Sequence, residues 1–172
     1  MLALSCLMTP AQAADVAARE VSPSELKDYW RSEGPIKLKF LPMAGMLNLQ
    51  ACYVAAYTIA EDGVPRDVEI VREDVSFGRG GASLGRRQRA HAERELAQAQ
   101  QAEVVAAVAR MRFVPAVDGA AVAVRTRTVP LVIASLTLEQ PDDPVAAARA
   151  REAHEKRREE LFRKCAGAAP GG

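Results

Sequence analysis

The chain has 172 residues, of which 26% are charged, 49% are hydrophobic and 5% are aromatic, and its formal net charge is +1. A nearly neutral chain lacks the excess of lysine and arginine that nucleic-acid-binding proteins concentrate on one face, so this class is excluded. No apolar run approaches the roughly 20 residues that a membrane-spanning helix needs, and the sequence therefore predicts no transmembrane segment.

The first residues have the pattern of an export signal. Residues 1–14 are an apolar run that ends near Ala11-Gln12-Ala13, the small-x-small pattern that signal peptidase recognises. A basic start is missing, as expected for a signal truncated at its beginning. Two other interpretations stay open, namely an apolar tail and lipidation at Cys6. We expect a periplasmic protein whose mature chain begins near residue 14 or 15.

A helix and an extended segment are predicted within residues 15–48. Residues 22–25 read Ser-Pro-Ser-Glu, which offers a serine N-cap, a proline at the first helical position and a capping glutamate. Trp30 belongs to the apolar stripe behind this start. Residues 36–41 alternate apolar side chains with lysines, which predicts a half-exposed strand. Its lysines are either a basic binding edge or solvated residues that discourage edge pairing.

Residues 49–74 are predicted to form the β-hairpin around which the domain is built. Two runs of strand-forming residues flank Asp62-Gly63, and this dipeptide is a strong hairpin signal because glycine accepts the positive φ of a tight turn. The first arm, residues 49–59, carries apolar or small side chains on both faces, which is typical of a central strand. The second arm alternates apolar with charged residues, so one of its faces packs and the other meets water.

A glycine-rich loop and a long helix follow the hairpin. Residues 78–83 approach the dinucleotide-binding fingerprint, but Ser83 stands where the third glycine is needed, so phosphate binding is not favoured. Residues 86–112 contain good helix formers and neither glycine nor proline. Because a coherent apolar face is confined to the second half, we expect residues 86–101 to project or fray. The arginines there are either a docking patch for an acidic partner or part of a solvated face.

A second β run, residues 122–139, contains Pro130. Because proline cannot donate to a ladder, this run is predicted to be an edge strand or to bend at the proline. A free sheet edge can pair with an extended peptide of another protein. The candidate partner-binding residues at this edge are Val124, Arg125, Thr126, Arg127, Thr128 and Val129.

The C-terminal residues 141–172 begin with Asp142-Asp143-Pro144, an N-cap pattern, and continue as a charged, largely solvated helix with a disordered tail. The predicted fold class is α+β. We expect a small antiparallel sheet, made of the hairpin and the edge strand, packed by one or two helices, with the solvated helix appended.

Two cysteines remain after the signal is removed. Cys52 and Cys165 are interpreted either as a disulfide, since the compartment is oxidising, or as separate thiols with Cys52 buried in its strand. His91 and His154 lie far apart without companion ligands, so no metal site is predicted. Neither a catalytic constellation nor a cofactor motif is indicated, and we expect the chain not to be an enzyme.

The order of hairpin, helix and strand, with its particular residues, resembles the C-terminal domain of TonB-type energy transducers. The match covers roughly residues 49–138, and residues 113–116, Phe-Val-Pro-Ala, followed by Gly119 are its most specific part. The other matched segments are residues 53–59 with 63–64, residues 68–71, residues 104–111 and residues 122–133. On this pattern the domain occupies residues 49–140, with an inserted loop and helix at 76–101.

What the resemblance implies is a periplasmic module that binds an extended peptide of an envelope protein, as the transducers bind a short segment of outer-membrane receptors. The membrane anchor and the proline-rich spacer of a full transducer are not recognised in the sequence, so force transmission is not implied. Two other functional classes stay open: an envelope-associated structural protein and an enzyme.

Overall fold

The computed structural model describes residues 18–39, 41–78, 84–117, 121–133 and 143–166. The predicted signal, residues 79–83 of the glycine-rich loop and the C-terminal tail lie outside them. The elements in chain order are β1 (Arg19–Glu20), a 3-10 turn (Leu26–Asp28), β2 (Trp30–Ser32), α1 (Pro42–Met46), β3 (Leu49–Ile59), β4 (Pro65–Phe77), α2 (Arg86–Ala109), β5 (Phe113–Pro115), β6 (Val124–Thr128), β7 (Leu131–Ile133) and α3 (Pro144–Ala166). The predicted α+β class is confirmed.

The hairpin of β3 and β4 is the centre of the fold. The two strands pair antiparallel from Leu49 opposite Phe77 to Ile59 opposite Pro65. Their turn has Gly63 at φ +74°, the left-handed conformation that glycine adopts without strain. The pairing register shifts twice, and Asp67 at one of these irregularities also has a positive φ of 50°. Such bulges bend β4 and increase its twist.

β3 is the central strand, as its apolar pattern predicted, because β6 and β7 pair with its other side. Its side chains alternate between two covered faces. One face, here called the α2 face, packs against α2 through two core clusters that include Tyr53 and Tyr57. The opposite face, here called the α3 face, carries Cys52, which is joined to α3 by a disulfide. Burial of both faces explains why the sequence of this strand shows little alternation of polar residues.

α2 packs along more of its length than its sequence predicted. The expectation that residues 86–101 project is wrong, since Leu96 is 5% exposed and Gln100 is 1% exposed. Leu96 joins the core cluster that contains Val104 and Ala92 packs against it, so the contact begins about three turns earlier than expected. A lone leucine among alanines and glutamines gives too weak an apolar periodicity to reveal this contact.

The N-terminal part differs from the sequence prediction. The reciprocal capping contacts form, with the Ser22 amide donating to Glu25 Oε2 at 2.8 Å and the Glu25 amide donating to Ser22 Oγ at 3.3 Å. They stabilise only a 3-10 turn. Trp30, which was predicted to lie in a helix, instead begins β2, and β2 pairs with β5 in a second, two-stranded sheet. The Trp30 indole N–H donates to the carbonyl of Val122 at 2.9 Å and fixes the ring in the core.

The predicted strand at residues 36–41 is absent from the described residues 36–39. This segment instead lies against α2, where the Lys39 amide donates to Glu103 Oε1 at 2.8 Å. Leu38 and Leu41 pack on the same core cluster as Leu96. The alternation of apolar residues therefore reflects one side packed on α2 and the sheet, without a strand ladder.

α3 begins with the predicted cap. Asp143 accepts hydrogen bonds from the amides of Val145 and Ala146, each at 3.1 Å, and Pro144 follows it as the first helical residue. Most side chains of α3 are exposed to solvent, as expected. Within the described ranges, every helix is too short or too polar to span a lipid bilayer.

Candidate functional site

The candidate site is the outer edge of β6 and β7, the side of these strands that faces away from β3. β6 pairs with β3 from Val124 opposite Ile59 to Thr128 opposite Ala55. β7 pairs with β3 from Leu131 opposite Cys52 to Ile133 opposite Gln50. The residue pairs of β6 and those of β7 follow the same register with β3, so β6 and β7 are one continuous run beside β3.

Three backbone hydrogen bonds fix which main-chain groups of this run face outward. Arg19 N–H donates to Ala123 O at 3.2 Å and Val21 N–H to Arg125 O at 2.9 Å, so residues 123 and 125 face β1. Tyr53 N–H donates to Pro130 O at 3.1 Å, so residue 130 faces β3. Because main-chain groups alternate sides along a strand, the outward positions that continue beyond β1 are Arg127, Val129, Leu131 and Ile133.

The predicted partner-binding residues are placed unequally by this geometry. β1 pairs in parallel with Val124 and Arg125, so the outer edge is already occupied there. The main chains of Val124, Thr126 and Thr128 turn inward to β3. Arg125, Arg127 and Val129 turn outward, and of these Arg125 is already paired with β1. The free edge predicted at 122–138 is therefore narrowed to an unpaired edge at 127–133, and residues 134–138 lie outside the described residues.

The role predicted for Pro130 also needs correction. Its sequence position suggested that the missing N–H leaves the outer side of the strand unpaired. In the structure the proline nitrogen points toward β3, where the ladder loses one donor opposite Tyr53. The outer edge is instead free because β1 is only two residues long. Leu131 and Ile133 lie within the predicted edge at 122–138, but they were not among the candidate partner-binding residues.

The side chains beside this edge differ between the two sheet faces. On the α3 face, Arg127 is exposed, while Arg125 forms an ion pair with Glu69 across β3. Among the described residues, Arg127 has no such carboxylate partner. On the α2 face, Val132 packs against the core cluster that contains Leu47. An added strand would thus meet a guanidinium on one face and an apolar boundary on the other.

The outer side of β4 is the second unpaired edge among the described residues, and its geometry is less regular. Gly78 N–H donates to Asn48 O at 3.1 Å, so the main chain of residue 78 faces β3. Because main-chain groups alternate sides along a strand, those of Glu73, Val75 and Phe77 face outward. The two register shifts of β4 interrupt the edge nearer the turn. Bulges are a common protection of edge strands against unwanted pairing, so β4 is the poorer template.

Two tyrosines lie beneath the candidate edge on β3. Burial raises the pKa of Tyr57 to about 12, and burial together with the nearby Glu73 carboxylate raises the pKa of Tyr53 above its usual range. Both phenols therefore stay neutral at physiological pH. The hydroxyl of Tyr53 is buried without a hydrogen-bond partner in the described part of the chain.

The described residues contain no group of three or more histidine, cysteine or carboxylate side chains placed to hold a metal ion. His91 contacts Glu95 on α2 at 3.3 Å, and His154 lies separately on α3. The predicted cysteine pair is brought together, with Cys52 bonded to Cys165 and their Cα atoms 6.2 Å apart.

No family model matches the chain. No curated protein matches it. Among solved structures, the solution NMR structure of the Pseudomonas aeruginosa TonB CTD is similar, with 17% sequence identity and a TM-score of 0.44. The match covers 64% of this chain and 90% of that chain.

Proposed function

We propose that this chain is a protein-binding module that takes up an extended segment of a partner protein as an additional strand beside residues 127–133. The observation that carries the proposal is the continuous β6–β7 run, whose outward main-chain groups are unpaired beyond β1 among the described residues. Seven residues of edge correspond to a segment about 23 Å long. Affinity in such complexes comes mainly from main-chain hydrogen bonds.

β1 supports this proposal because it already uses the same edge. Its two residues pair in parallel with Val124 and Arg125, so this edge already takes part in strand pairing within the chain. The Val21 amide makes the last of these bonds, after which the chain turns away at Ser22. An incoming segment would continue the line of β1 without displacing it, and its length would be limited at this end by Val21.

We further propose that the partner is an envelope protein, such as an outer-membrane receptor, in a transport-related role in the periplasm. The support for this part is the sequence resemblance carried by residues 113–116 and the export pattern at residues 11–13. The expected result is a mature protein in the periplasmic extract that begins near residue 14 or 15, which N-terminal sequencing and intact mass would show. A cytosolic protein that retains Met1 would contradict this location.

The pairing proposal is tested with a display library of random nine-residue peptides selected against the full chain. Val129→Pro removes an outward N–H and places the proline ring where the incoming strand must lie. Loss of one hydrogen bond is worth about 1.5 kcal/mol at the upper end, or roughly tenfold in affinity, and the ring adds a steric cost. We expect selected peptides to bind Val129→Pro at least about tenfold more weakly than the unchanged chain.

Two further proline variants serve as controls. Glu73→Pro removes an outward N–H from the other unpaired edge, on β4, and should leave both folding and peptide binding intact. Thr128→Pro removes an inward N–H from the ladder with β3 and should destabilise the domain, as circular dichroism would show. If the selected peptides bind Val129→Pro with the same affinity as the unchanged chain, the proposal is contradicted and a structural role in the envelope is favoured.

A further inference from the structure

Among the described residues, the fully buried side chains of α3 lie near its C-terminal end. α3 has 23 residues, and its buried side chains among the described residues are Leu161, 5% exposed, and Cys165, 2% exposed. Cys165 is bonded to Cys52 of β3, 113 positions earlier in the sequence. Among the described residues, one long hydrogen bond of 3.5 Å, from Arg72 Nη1 to the Cys165 carbonyl, adds to this contact. The disulfide is therefore the principal attachment of the helix.

We propose that the Cys52–Cys165 disulfide is a redox switch that holds α3 on the sheet. Its reduction releases α3 while the sheet itself stays folded. Without the bond, the principal contacts of this charged 23-residue helix within the described part of the chain would be one buried leucine and one weak hydrogen bond. Because most of the stability of a helix in a protein comes from tertiary packing, release would also fray the helix.

The sheet does not depend on α3 for its core. The two core clusters lie on the α2 face and contain β3 side chains together with Leu96, Val104 and Val108 of α2. Cys52 points to the opposite face, and as a thiol it behaves as a small hydrophobic side chain. Release of α3 would therefore uncover the α3 face around Cys52 and leave the α2 face packed.

The reductant in this proposal is a protein dithiol of the Cys-X-X-Cys class. Its thiolate attacks the Cys165 sulfur, because Cys165 lies one residue before the helix ends at Ala166 and terminal turns open most readily. Cys52 leaves as a thiolate and takes up a proton. The second thiol of the reductant then attacks the mixed disulfide, which frees Cys165 as a thiol and oxidises the reductant to its disulfide.

The experiment is amide hydrogen exchange, read by mass spectrometry, on the full oxidised chain before and after treatment with a thioredoxin-type dithiol enzyme. We expect exchange in residues 144–166 to accelerate at least about tenfold on reduction, whereas β3 and α2 keep their protection. Reoxidation should restore the slow exchange. The double variant Cys52→Ser with Cys165→Ser should match the reduced protein, and oxidised Leu161→Ala should retain an attached helix because the disulfide remains.

Two results would overturn the proposal. Unchanged protection of residues 144–166 in the reduced protein would show that α3 is held without the bond. Simultaneous loss of protection in β3, α2 and α3 would show that the disulfide stabilises the whole domain and does not control α3 alone.

Discussion

Replacing Gly63 with alanine is expected to lower the free energy of unfolding by more than about 3 kcal/mol. Gly63 has a φ of +74°, and a Cβ added there would lie 2.1 Å from the carbonyl oxygen of Phe113. The backbone cannot easily move aside, since the Phe113 amide donates to the Gly63 carbonyl at 3.0 Å. The substitution therefore combines a left-handed backbone penalty with a clash between two main chains.

Gly34→Ala is the matched control for this substitution. A Cβ at Gly34 would meet no atom within 4 Å, so we expect a change within about 0.5 kcal/mol. Urea unfolding followed by circular dichroism measures both variants. Equal stability of Gly63→Ala and Gly34→Ala would contradict the close approach of the hairpin turn to β5.

Phe113→Ala is expected to cost about 3 to 5 kcal/mol of stability, the usual range for truncating a buried phenylalanine. Phe113 is 6% exposed and its ring lies 6.1 Å from that of Tyr57, centroid to centroid. The ring links the short sheet of β2 and β5 to the main sheet through the same core cluster as Trp30. Its removal should leave a cavity between the two sheets.

Val114→Ala tests whether this cost comes from the buried ring. Val114 is the next residue of β5 and is 42% exposed, so its truncation should change stability by no more than about 0.5 kcal/mol. The same unfolding measurement applies. If the two variants lose stability equally, the cost lies in the strand propensity of β5 rather than in the packing of Phe113.

The hairpin, the central position of β3 and the long helix α2 were predictable because each gives a local signal. Asp62-Gly63 marks the turn, the apolar pattern of β3 marks its two covered faces, and α2 is rich in helix-forming residues. The close approach of Phe113 to Gly63 was not predictable. It depends on a contact between residues far apart in sequence, for which a turn motif carries no signal.

The short strands escaped prediction for a related reason. β1, β2 and β5 have two or three residues each, too few for a period to appear, and each is defined by pairing with a distant segment. The candidate edge depends on these pairings, since β1 decides where the unpaired part begins. Sequence reasoning located the correct β run around Arg127. Which side of the strand stays unpaired could be decided only from its register with β3.

The most direct test of strand addition is amide hydrogen exchange, measured by NMR, on the chain with and without a peptide selected from the display library. Pairing beside residues 127–133 predicts slower exchange of the outward amides of Arg127, Val129, Leu131 and Ile133 on binding. The outward amides of Glu73 and Val75 on β4 should be unaffected. Slower exchange confined to β4, or to α2 and α3 with no change at residues 127–133, would contradict the account.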